Sequence, residues 1–93
     1  MLNEVNNILS NPLVSQGLKL AAPEIMLGVQ LLGNVGGIFK KKNSKIQGMI
    51  GAVDKRLAEN LETLATTQSD ALKAECEIRC HELLGILNLW SKL

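Results

Sequence analysis

At 93 residues and 10.1 kDa the chain has room for one domain at most. Its 46% hydrophobic content and formal net charge of +1 set it apart from disordered chains and from strongly basic nucleic-acid binders, so no specific nucleic-acid partner is expected. One His, one Trp, one Phe and no Tyr leave little material for acid–base chemistry or aromatic recognition. The sequence reads as all-α throughout. It forms one helical domain over 1–93, with an apolar Gly-rich part (1–39), a basic linker (40–45) and a long amphipathic helix (46–93).

Residues 2–9 place Leu2, Val5, Ile8 and Leu9 at helical spacing. Ser10-Asn11-Pro12 then reads as a stop and a restart. Asn11 is a suitable N-cap, and Pro12 takes the first helical position, where a missing N–H costs nothing. This predicts a short helix from Pro12 to Ala21. Pro23 starts the next, with Glu24 in its first turn facing the positive end of the macrodipole.

Residues 20–39 (LAAPEIMLGVQLLGNVGGIF) carry one charge and end at Lys40-Lys41-Lys42. The length suits a bilayer crossing, and lysines at one end fit the positive-inside rule. The nine Leu, Ile, Val and Phe residues are worth about −4 kcal/mol for insertion, which Glu24, Gln30 and Asn34 offset to near zero. Membrane contact and burial in a soluble bundle or assembly therefore both stay open. Gly33 and Gly37 form a GxxxG pair, with Gly28 on a related face, which predicts close helix packing at all three. Lys40, Lys41, Lys42 and Lys45 form a cluster suited to an anionic surface. The cluster has no interleaved aromatics for base stacking.

From Asn43-Ser44 onward one apolar stripe runs through Ile46, Ile50, Val53, Leu57, Leu61, Leu64, Gln68, Leu72, Cys76, Cys80, Leu83, Leu87 and Trp90, interrupted only by Gln68. Twelve steps over 44 residues give a mean of about 3.67, the eleven-residue repeat of a nearly straight helix or a slight right-handed supercoil. Unbroken, a helix of about 49 residues would be about 73 Å long. That is incompatible with a compact domain of this size, whose radius of gyration is about 12 Å. Either the helix breaks at Thr66-Thr67-Gln68-Ser69-Asp70, or it stays whole and buries the stripe against other copies. The segment has no Gly or Pro, and Leu72 replaces the Glu or Gln of a capping box after Ser69. The unbroken helix is thus favoured, with Ile46, Ile50, Val53, Leu57, Leu61, Leu64, Leu72, Cys76, Leu83, Leu87 and Trp90 as an oligomer interface.

Cys76 and Cys80 share a helix face at a spacing unsuited to a disulfide, which points to a reducing compartment. With Glu77, His81 and Glu82 they are the one cluster of potential ligands. A single helix does not close a tetrahedral zinc site, so no metal, cofactor or catalytic residue is expected. The N-terminus lacks a basic n-region and carries Glu4, against a secretory signal.

A short polar start, a Gly-rich apolar segment (GVQLLGNVGGIF), a lysine cluster (KKKNSK) and a long regular helix resemble the layout of small phage-encoded proteins. Holins share it as short membrane proteins. DNA-pilot and ejection proteins share it as a membrane-seeking segment followed by conduit-forming helices, and the eleven-residue stripe favours these. The resemblance implies a virion location, with other copies and other virion proteins as partners. The expectation is a non-enzymatic, self-assembling structural protein. The alternatives are a holin-like protein of the host inner membrane, or a soluble cytoplasmic helical-bundle adaptor with its helix broken near Thr67.

Overall fold

The computed structural model describes residues 2–34 and 36–92, apart from side-chain burial at 34 and 36. Six helices follow in chain order: α1 (Asn3–Leu9), α2 (Pro12–Ala21), α3 (Pro23–Asn34), α4 (Gly36–Lys40), α5 (Ser44–Thr66) and α6 (Asp70–Ser91). The described residues contain no strand.

The local signals in the first half act as expected. The Asn11 side chain accepts a hydrogen bond from the Leu13 N–H at 3.0 Å, and Pro12 opens α2. The Asn43 side chain accepts from the Ile46 N–H at 2.9 Å and opens α5. Each cap satisfies a donor that the first helical turn leaves free.

The favoured unbroken helix over 46–93 does not form; the alternative, a break within Thr66 to Asp70, does. α5 ends at Thr66, and Thr67 is extended at φ −73°, ψ 149°. Two hydroxyls shape the break. Thr67 Oγ1 accepts from the Ser69 N–H at 3.2 Å, and Ser69 Oγ accepts from the Leu72 N–H at 3.2 Å. Ser69 therefore caps α6 without a capping box, and Asp70 supplies the acidic first turn.

Magnitudes explain why the fold-back wins. Interrupting a helix forfeits a few backbone hydrogen bonds, each worth about 1 kcal/mol net, and the two hydroxyls recover part of that. Folding back buries Ile50, Leu57, Leu61, Leu64 and Leu87 completely. Each such side chain contributes about 1.5–3 kcal/mol. The stripe is thereby spent inside the monomer. Ile50, Leu57, Leu61, Leu64, Cys76, Cys80 and Leu87 are core residues, Ile46, Val53, Leu83 and Trp90 pack on its margin, and Leu72 points outward.

α1 and α2 pack on α5, α3 packs on α2 and α6, and α4 joins α3 to α5. The radius of gyration is 12.7 Å, and the longest dimension is 39 Å. The apolar segment 20–39 is likewise interrupted. It is divided among the end of α2, α3 and α4, and Phe39 is a fully buried plug. Among the described residues no helix is long and apolar enough to cross a membrane.

Candidate functional site

A surface concavity lies between α3 and α6. It begins with a glycine. A Cβ added at Gly28 would lie 3.2 Å from Leu84 Cδ1, so the absent side chain lets α3 ride low over α6. On α6, Gly85 faces open space, with nothing within 4 Å of the position its Cβ would take. The two glycines and Leu32 and Leu84 floor a groove of about 520 Å³. Its walls carry Glu24 and Leu31 from α3, and His81 and Asn88 from α6.

The ridge beside the groove is apolar and unprotected. Leu31 is 67% exposed and Leu27, one turn earlier on α3, is 62% exposed. Burying such residues is worth about 1.5–3 kcal/mol each, so the face has association energy in reserve. Polar groups sit at its margin: the Glu24 carboxylate accepts, the Asn88 amide does both, and the His81 ring can donate.

The other glycines do not meet the packing expectation. Gly33 and Gly37 have nothing within 4 Å of an added Cβ, and they line a smaller hollow of about 230 Å³ with Leu2, Val5 and Val29. The close approach lies instead at Gly17. A Cβ there would fall 2.5 Å from the Ala65 carbonyl oxygen, so α2 touches the backbone of α5. An isolated glycine in PLVSQGLKLA gives no hint of this, because the neighbour is 48 residues away.

A second position missed from the sequence is Asp54. It is only 4% exposed, and its two carboxylate oxygens accept from the backbone N–H groups of Glu4 (2.9 Å) and Val5 (3.0 Å). Asp54 on α5 thus caps α1, whose own flanking residue Leu2 supplies no side-chain cap. A signal existed. Asp54 stands four after Ile50 and three before Leu57, a charged residue on the apolar face.

The Cys76, Cys80 and His81 group is split by the fold. Both thiols are free and buried, whereas His81 faces the groove. Burial, then the neighbouring Cys76 and Glu77, push the Cys80 thiol up to about 12. Such a thiol is a poor nucleophile and a poor metal ligand. Among the described residues no three His, Cys, Asp or Glu side chains gather as a metal site.

The lysine cluster lies where α4 ends and α5 begins. Lys40, Lys41 and Lys45 are exposed and Lys42 is half-buried. Among the described residues none of the four has an acidic partner within 4 Å; the Arg79–Glu75 ion pair lies on α6. Compared with protein families, with curated proteins and with solved structures, the chain matches none of them.

Proposed function

We propose that the protein is a non-enzymatic helical module that works by self-association, with the α3–α6 face as the contact surface. The observation that carries this is self-complementarity. The exposed Leu31 and the recess at Gly28 and Gly85 line one groove, and Leu27 is exposed one turn before Leu31. A twofold dimer requires one patch to serve as both knob and hole. Two copies related in this way set the ridge of each into the groove of the other.

This places the interface elsewhere than along the 46–90 stripe, whose largest residues are already covered by α1, α2 and the α5–α6 hairpin. The folded-back helix does not support a conduit of long helices, so the likeness to phage ejection proteins remains one of sequence layout. Sedimentation and light scattering over a concentration series test the proposal. The expected mass is twice 10.1 kDa at high concentration, falling toward one copy on dilution. Gly85→Leu, at a position with open space around it, should fill the groove and leave a folded monomer. A single-copy mass at every concentration, or a Gly85→Leu dimer as tight as wild type, would overturn it.

A further inference from the structure

We propose that the basic end of the molecule, formed by α4 and the first half of α5, docks on the surface of an anionic phospholipid bilayer. The inference does not depend on the dimer. Its first support is an uneven charge map. No acidic residue occurs from 25 to 53, a stretch that holds Lys40, Lys41, Lys42 and Lys45. Lys55 and Arg56 extend the run and are exposed. The one acid inside it, Asp54, is buried with both oxygens occupied by the α1 backbone; the next exposed acid along the chain is Glu59, and the exposed Glu4 of α1 lies beside Asp54, at the far end of the run from Lys40–Lys45. Four lysines therefore fall within residues 40–45, and six cations within 40–56, on a chain whose net charge is only +1. Such a one-sided field steers the molecule toward a negative surface.

The second support is that the backbone carrying the lysines is held. The Gln47 side-chain amide donates to the carbonyl oxygens of both Lys40 and Lys42, each at 2.9 Å. The linker is thus pinned before any ligand arrives, and less ordering entropy is lost on docking. The third support separates a bilayer from a nucleic acid. Ile38 is 41% exposed and Met49 is 46% exposed, on α4 and α5, which pack together. Met49 lies one turn beyond Lys45 on the same helical face. Apolar tips among lysines suit the boundary between headgroups and acyl chains. Base stacking would require an aromatic face, and the aromatic of this segment, Phe39, is fully buried.

The test is co-flotation of the full chain with vesicles of phosphatidylcholine alone, or of phosphatidylcholine and phosphatidylserine in equal parts. Binding is expected only to the second, and it should vanish at about 1 M salt, where the screening length is about 3 Å. Lys41→Gln with Lys45→Gln should weaken partitioning about 30-fold, given the contribution expected of each charge near such a surface. Ile38→Ser with Met49→Ser should weaken it while leaving the salt dependence unchanged. Lys73→Gln with Lys92→Gln, away from this end, should leave it as it was. Circular dichroism should show all three variants as helical as wild type, since none of these side chains holds the fold. Equal binding to both vesicle types, no binding to either, or indifference to the Lys41 and Lys45 substitutions would overturn the proposal. So would binding to a DNA duplex, lost in the same lysine variant, without binding to vesicles.

Discussion

Asp54 shows how much one side chain can organise. α1 has seven residues, too few to persist alone in water, and its first turn has no local cap. The Asp54 carboxylate supplies both missing acceptors from α5, so α1 is fastened to the bundle by charge-assisted hydrogen bonds. Asp54→Ala leaves two N–H donors without partners and should cost about 2–3 kcal/mol in urea unfolding. Asp54→Asn, with one acceptor oxygen, should cost less. Amide exchange at Glu4 and Val5 should accelerate in the alanine variant; unchanged protection would show that α1 does not rely on this carboxylate.

Cys80 makes a separate prediction at the same scale. Its thiol is raised from 9.0 to about 12 in the folded chain, because burial disfavours the thiolate and Cys76 and Glu77 add to that. The folded state therefore keeps a proton that the unfolded chain releases above pH 9. The unfolded state binds fewer protons there, so stability falls as pH rises from 9 toward 12 and is fully present below 9. Other groups titrate in the same range, so the useful comparison is with Cys80→Ala. The stability advantage of wild type over Cys80→Ala should shrink as pH rises above 9. A difference that stays flat across that range would contradict the assignment.

Among the elements, the helix boundaries up to residue 23 and the start of α5 were legible because they depend on neighbours in sequence. Asn11 with Pro12, Pro23, and Asn43 with Ser44 each act within one turn. The break at Thr67 was less legible, because Thr and Ser lower helix propensity by only about 0.5 kcal/mol each. What decides it is the burial of Leu57, Leu61 and Leu64 under the rest of the chain, a tertiary gain that exceeds any local preference. Glycine roles were the least legible. GxxxG spacing marks a face, but only the partner helix determines whether the face is used. Gly17→Ala should cost about 1–3 kcal/mol, because its Cβ would meet the Ala65 backbone and α2 would have to move off α5. Gly33→Ala, with open space around it, should be neutral or add up to about 1 kcal/mol. Equal effects at the two sites in denaturant titrations would contradict this packing.

For the whole molecule, the all-α class was legible from composition and period, and the architecture was not. A stripe with a period of about 3.67 specifies which face is apolar and says nothing about what covers it. α1, α2 and α6 cover it on α5, and this turns an expected assembly surface into a core. The candidate site was legible only in fragments: Gly28 was singled out, while Gly85, Leu31 and His81 acquire their roles from the placement of α3 beside α6.

The central claim is that residues 46–90 fold back on themselves, and energy transfer within one chain tests it most directly. Trp90 is the only tryptophan and serves as the donor. A fluorescent acceptor incorporated at the exposed position of Lys45 completes the pair, and an excess of unlabelled Trp90→Phe chain, which lacks the donor, removes transfer between molecules. The hairpin keeps the two sites within the 39 Å longest dimension and predicts efficient transfer. An unbroken helix would hold them about 68 Å apart. Absence of transfer in the diluted sample would contradict the fold-back, and with it the reading of the stripe as a core.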